Sequence, residues 1–204
     1  MQTDISYRLV LASASPARRA LLKAAGIDAD VLVSGVDESV VEANDAYTLS
    51  LALARLKART VASRMQADVG VLVLGCDSVL AFEGEILGKP ADAAEAGKRW
   101  QAMRGRSGVL HTGHHLTDLV SGRQAEDVGT TVVHFADITD AEIKAYVATE
   151  EPLNVAGSFT IDGRGGAFVD RIEGDSGNVV GLSLPMLRRL LGELHISITQ
   201  LWRD

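Results

Sequence analysis

The sequence predicts an α/β protein, and three observations carry the prediction. Strand and helix signals alternate along the chain, 204 residues suffice for one sizeable core, and 47% hydrophobic residues can fill it. Tyr7 to Ala12 reads as a short buried strand. The next segment, Pro16 to Ala25, is a predicted helix with Ser15 as N-cap, Pro16 in the first turn, Leu21 and Leu22 for burial and Gly26 as its stop. Leu49 to Arg64 has the apolar spacing of an amphipathic helix, and Val71 to Leu74 is a continuous β-forming run. Ser78 to Phe82 and Glu85 to Leu87, separated by Glu83-Gly84, predict a hairpin. Helices follow at Ala93 to Met103, stopped by Gly105, and at Ala141 to Ala148, where Thr139 and Glu142 have capping-box spacing. Val109 to Leu119 and Thr130 to Phe135 read as strands joined through Ser121-Gly122-Arg123, and Leu184 to Leu194 as a closing helix. No repeat and no long Gly/Ser/Pro linker divides the chain, so a single domain over residues 1–204, of one or two lobes, is expected.

Charge narrows the choice of ligand. The chain has 27 Asp and Glu against 20 Lys and Arg, a formal net charge of -7, so no global positive field draws it to nucleic acid or to an anionic membrane. A polyanionic small molecule would need a local basic pocket or a metal. No apolar run approaches the roughly 20 residues of a membrane span, and Met1-Gln2-Thr3-Asp4 lacks the features of a signal peptide. The lone Cys76 excludes an intramolecular disulfide framework and fits a reducing compartment, so a cytoplasmic location is expected.

Four short segments carry unusual chemistry. In Ser13-Ala14-Ser15-Pro16-Ala17-Arg18-Arg19 two arginines stand at a helix start, where acidic residues are normally favoured. Two hydroxyls, open backbone donors and guanidinium forks there would suit a phosphate; the plainer alternative is a Ser-Pro cap with solvated arginines. Asp37-Glu38 is hydrated charge unless its surroundings say otherwise. Asp77, in Gly75-Cys76-Asp77-Ser78, interrupts two β-forming runs and is either turn-forming or held at a sheet edge for a metal or water. Gly84-Glu85-Ile86-Leu87-Gly88-Lys89-Pro90 is not a nucleotide P-loop: the glycines stand one residue too close, and Pro90 occupies the Ser/Thr position. Lys89, between Gly and Pro, could still offer a point charge to a phosphate or simply sit in a turn. Gly163-Arg164-Gly165-Gly166 is a flexible binding loop or a β-turn. His111, His114, His115 and His134 invite zinc, but residues 114 and 115 of a strand face opposite ways, so the group does not converge. Cys76 reads as a small buried hydrophobe.

Taken in order, Leu11-Ala12-Ser13-Ala14-Ser15-Pro16-x-Arg18, Asp37-Glu38, Ala54-x-x-Lys57-Ala58, Gly75-Cys76-Asp77, Gly88-Lys89-Pro90, Ala156-Gly157-Ser158-Phe159 and Val180-Gly181-Leu182 with Pro185 closely resemble the Maf-like nucleoside triphosphate pyrophosphatases. The resemblance runs nearly end to end. It implies an elongated mixed β-sheet with flanking helices, two lobes around a cleft, and similarity to the inosine triphosphate pyrophosphatase group. It implies hydrolysis of a nucleoside triphosphate to monophosphate and pyrophosphate, a divalent cation (Mg²⁺ or Mn²⁺), and a homodimer. By position it makes Asp77 the catalytic proton acceptor and Glu38 a second acid in the cleft; our expectation is that the two divide the holding of the metal and the orienting of water. Lys57 and Lys89 become the basic residues around the triphosphate, and Ser13, Ser15, Arg18 and Arg19 its phosphate-binding loop.

Two departures bear on the base. Ala17 stands where members resembling dTTP/UTP enzymes have the first arginine of Ser-Pro-Arg-Arg, and Asp162 precedes Gly163 where they have Gln. Asp162 and Arg18-Arg19 lean toward the members resembling 7-methyl-GTP enzymes, since a carboxylate accepts from guanine N1–H and its amine, whereas Ala17 lacks their bulky residue. A methylated or otherwise modified nucleotide is the favoured substrate. A nucleotide-binding regulator of cell division that does not hydrolyse is the competing class.

Overall fold

The computed structural model describes residues 6–203. The elements run β1 (Arg8–Leu11), α1 (Pro16–Ala24), β2 (Asp30–Val31), α2 (Ala46–Ala62), β3 (Val71–Phe82), β4 (Glu85–Leu87), α3 (Ala93–Met103), β5 (Ser107–Asp118), β6 (Gln124–Phe135), α4 (Asp140–Val147), β7 (Val169–Glu173), α5 (Ser176–Val180) and α6 (Leu184–Glu193). The described strands form one mixed sheet in the order β2-β1-β3-β5-β6-β7, with β4 also on β3. β1 is parallel to β2 and β3; all other pairs are antiparallel. The α/β expectation holds, with a mixed sheet and flanking helices.

Strand alternation divides the side chains of the long strands between the two faces of the sheet. On one face, Leu72, Leu74, Cys76 and Leu116 pack with Leu22 of α1 and Leu187, Leu190 and Leu191 of α6. On the other, Val71 and Val73 pack with Ala58 and Val61 of α2. At the far end of β3, Leu80 and Phe82 join a separate cluster with Trp100, Leu110, Phe135, Tyr146 and Phe159. The long strands thus run from one apolar centre to another, and the middle of β3 lies between them.

Local signals produced what they predicted. Ser15 caps α1, Thr139 and Glu142 close a capping box on α4, and Glu83-Gly84 turns the β3–β4 hairpin with positive φ at both positions, as a two-residue loop requires. The structure corrects three boundaries and adds two elements. β3 continues unbroken through Gly75-Cys76-Asp77, so Asp77 is not a turn residue. α2 begins at Ala46, because Asp45 accepts the Thr48 amide as N-cap. β6 begins at Gln124 rather than Thr130, drawn out by its pairing with β5. β7 and α5, five residues each, had no predicted counterpart; they are too short for a period to register.

Candidate active site

The site begins as a gap in the sheet. β5 pairs with β3 from Leu72 to Ala81. On the opposite edge of β3, β1 takes Arg8-level partners Val71–Leu74 and β4 takes Leu80–Phe82. Residues 75–79 therefore have no strand on that edge, and Asp77 sits at the middle of the opening. Of the two readings of Asp77, the sheet edge is the one realised.

Glycine brings the second element in. A Cβ on Gly75 would lie 2.1 Å from the Ala54 carbonyl oxygen, and one on Gly113 would lie 2.3 Å from the Ser50 oxygen. Only bare glycines on β3 and β5 let the α2 backbone come this close. The approach carries Lys57 to Asp77, its Nζ 2.5 Å from Asp77 Oδ1 and 2.7 Å from Glu38 Oε1. Glu38 arrives on a one-turn 3-10 helix that Asp37 caps by accepting from the Ser39 amide. Asp37-Glu38 therefore splits its work: one acid shapes the turn and the other reaches Lys57.

Burial sets the electrostatics. Asp77 is 8% exposed and Lys57 9%. Burial pushes the Asp77 carboxyl above the ordinary range, while Lys57 and Arg18 pull it back down. The lone thiol beside it, Cys76, is fully buried and pushed up to about 12, which leaves it inert at neutral pH.

Arg18 occupies the opening itself. Its Nε donates to the Gly181 carbonyl at 2.7 Å, Nη1 to the Cys76 carbonyl at 2.8 Å and to Ser13 Oγ at 3.1 Å, and Nη2 to Ser78 Oγ at 3.0 Å. Four of its five N–H groups are thus engaged, standing in for the missing strand along the edge of β3. Ser78 Oγ continues to Thr112 Oγ1, which donates to the Asn178 carbonyl, so α5 is tied through the sheet to Arg18. Ser15 Oγ accepts the Arg18 amide, and the Ser15 amide donates to Ser13 Oγ.

The structure thus brings together Asp77, Glu38 and Lys57 in one contact group and Ser13, Ser15 and Arg18 in a second, joined through Cys76 and Ser78. Arg19, Lys89 and Asp162 are exposed, and their side chains form no hydrogen bond or ion pair with the described residues. Ala17 is half-buried beside Arg18 in the first turn of α1. The Asp162 loop is organised from below by Glu151. That carboxylate accepts from Thr160 Oγ1 (2.6 Å), the Tyr146 hydroxyl (3.0 Å) and the amides of Gly165 (3.0 Å) and Arg164 (3.1 Å). Neither Glu151 nor Ser78 stood out in the sequence. A loop acid and a strand serine have no local mark, because their partners lie on other elements.

Two carboxylates fit a hard cation of a particular kind. Mg²⁺ usually takes only one or two protein carboxylates and completes its shell with water and substrate phosphates. Asp77 and Glu38, both already drawn to one positive charge, match that donor set. Among the described residues no three His, Cys, Asp or Glu groups converge on a metal-sized site. The histidines scatter as strand alternation demands: His114 faces α6, accepting the Ser183 amide, while His115 faces α2 and pairs with Glu126.

Comparison with known proteins bears on the whole arrangement. The Maf-like protein family model matches residues 8–194. A nucleoside triphosphate pyrophosphatase of Salinispora tropica is 64% identical over 204 residues, covering 99% of this chain and 90% of the relative. Proteins with the same name from Streptomyces coelicolor and Microcystis aeruginosa are 58% and 52% identical, covering 96% and 97% of this chain and 94% and 100% of theirs. A family-model match over residues 8–194 and identity at this level over nearly the whole chain leave one conclusion: the chain belongs to the Maf-like family.

Proposed function

We propose that the opening in β3 is the active centre of a nucleoside triphosphate pyrophosphatase, with Asp77, Glu38 and Lys57 at its heart. The chain is a hydrolase that cleaves the α–β phosphoanhydride of a nucleoside triphosphate, releasing monophosphate and pyrophosphate. One observation carries this reading: a buried carboxylate and a second acid share a single lysine at an unpaired strand edge. The relatives' names agree with it.

In the reaction, water attacks the α-phosphorus, the bond to the bridging oxygen breaks, and pyrophosphate leaves with the electron pair. Asp77 takes the proton from the attacking water, its carboxylate held at the opening by Lys57. Asp77 and Glu38 are the residues that would hold Mg²⁺ or Mn²⁺, which would supply charge neutralisation at the phosphate oxygens. Lys57 keeps the two acids oriented, and Lys89 and Arg19 offer positive charge to the leaving pyrophosphate. Ser13, Ser15 and Arg18 shape the loop beside it, with the remaining Arg18 N–H free to face a phosphate. Asp162 and Ala17 border the base, which makes a modified purine such as 7-methyl-GTP one of the substrates to try. Residues 1–204 act as one unit in this reading, because β3 and β5 run through both apolar centres. A homodimer in the cytoplasm completes it. Among the described residues no helix is long and apolar enough to cross a membrane.

The test is a panel of ordinary and modified triphosphates with Mg²⁺ or Mn²⁺, assayed for pyrophosphate and orthophosphate. Pyrophosphate with monophosphate is expected, and Asp77→Asn should lower turnover by about 10²–10⁴ with the fold intact. Orthophosphate, or an Asp77→Asn variant of full activity, refutes the assignment; binding without turnover would favour a regulator.

A further inference from the structure

Lys89 has an unusual degree of backbone support for an exposed lysine. β4 runs antiparallel to β3, with Leu87 opposite Leu80, so the chain beyond Leu87 heads back toward Asp77. The carbonyl of Gly88 belongs to the peptide plane that enters Lys89. It accepts two donors, Arg99 Nη1 at 2.6 Å and the Gly157 amide at 3.2 Å. After Lys89, Pro90 restricts its ψ to the extended region. The backbone on both sides of Lys89, which sets the direction of its Cα–Cβ bond, is therefore constrained from outside. Arg99 is itself fixed: Nη2 pairs with Glu95 Oε1 at 2.5 Å, one turn back on α3, and Nη1 also lies 3.4 Å from Ser158 Oγ. Glu95 Oε2 in turn accepts the Ala91 amide at 2.7 Å. The Gly88–Ala91 loop is thus tied to α3 at both ends, its carbonyl end by Arg99 and its amide end by Glu95. Arg99 and Glu95 stand at i, i+4 on the partly buried flank of α3, and beyond pairing with each other both reach the Gly88–Ala91 backbone.

We propose that Arg99, braced by Glu95, is a positioning residue that fixes the Gly88–Lys89 peptide and so pre-aims the Lys89 ammonium at the polyphosphate tail. The inference rests on the reading in which Lys89 faces that tail. A loop backbone already fixed before binding saves the ordering that a free Gly88–Ala91 loop would otherwise undergo when the ligand arrives. Arg99 would act only through Lys89.

A double-mutant cycle tests this in binding, independent of turnover. Inorganic tripolyphosphate with Mg²⁺ is titrated calorimetrically into wild type, Lys89→Ala, Arg99→Met and the double variant. Lys89→Ala and Arg99→Met should each weaken binding about tenfold, and the double variant should bind no more weakly than Lys89→Ala alone. With a hydrolysed triphosphate, the same pattern should appear in KM. Independent, multiplying losses would show Arg99 to be merely structural and overturn the proposal; so would unchanged binding in either single variant. Should Arg99→Met fail to fold, Glu95→Gln replaces it in the cycle, with a smaller loss and the same dependence on Lys89. A wild-type protein that binds tripolyphosphate with this coupling but releases no pyrophosphate would defeat the hydrolytic reading while leaving the clamp standing.

Discussion

Gly75→Ala isolates the contact that assembles the site. The added Cβ would sit 2.1 Å from the Ala54 carbonyl oxygen and 2.9 Å from both the amide nitrogen and Cβ of Ala58. Ordinary contact begins at 3.4 Å, so α2 has to retreat from β3 by roughly 1 Å, and backbone on both sides leaves no flexible side chain to absorb it. Overpacking of this kind costs about 1–3 kcal/mol, which urea unfolding followed by circular dichroism will read as a shift of the midpoint at constant m. The retreat also stretches the 2.5 Å contact of Lys57 with Asp77, and a misplacement of that size lowers turnover by about a hundredfold. Gly97→Ala is the control, because a Cβ there meets nothing within 4 Å; on α3 it should stabilise by about 0.5–1 kcal/mol and leave turnover alone. A Gly75→Ala protein with wild-type midpoint and rate would show that the close approach of α2 is not what holds Lys57 in place.

Three further outcomes follow from the electrostatics. Lys57→Met removes the charge that pulls the Asp77 carboxyl down, so the acid limb of the pH–rate profile moves to higher pH; a limb that stays or moves lower contradicts the pairing. The same variant should lose on the order of 3 kcal/mol of stability at neutral pH, and less at acid pH where Asp77 becomes protonated. His114 supplies a pH dependence of the fold itself. Burial, aided by Arg18, lowers it from 6.5 to about 4, and it sits between the Thr112 carbonyl and the Ser183 amide as a neutral ring. As pH falls the unfolded chain takes up the proton first, so this stabilisation is complete above about pH 6.5 and is lost progressively down to pH 4. The shift corresponds to about 3 kcal/mol. His114→Gln should therefore flatten the pH dependence of unfolding across that window, and an unchanged slope would rule the histidine out as its source.

The sequence was most informative where structure is local. Ser15, Thr139 with Glu142, and Glu83-Gly84 each satisfy or turn a backbone within a few residues, and each appears where expected. Asp77 was ambiguous for the opposite reason. Whether a carboxylate inside a strand is tolerated depends on a partner, and Lys57 comes from α2, twenty residues earlier. The Maf-like pattern fixed which residues to watch, while the way they meet depended on Gly75 and Gly113, whose role lies in what their missing side chains allow.

The start of α1 shows how far a local argument reaches. Two arginines at a helix N-terminus called for negative charge nearby, and two readings stood open: a phosphate cradle or solvated side chains. The fold leaves both open for Arg19 and gives Arg18 a third outcome. Arg19 is exposed, as solvation requires and as access to a free anion also requires. Arg18 is 8% exposed and finds its negative partners within the protein, as the carbonyls of Cys76 and Gly181 and the hydroxyls of Ser13 and Ser78. Partial charges on four oxygens replace one full charge, and they do so at the strand edge beside Asp77. Arg18 therefore closes the sheet while its positive charge lowers the pKa of the neighbouring carboxylate. The residue that seems misplaced in the helix is placed for the strand it completes.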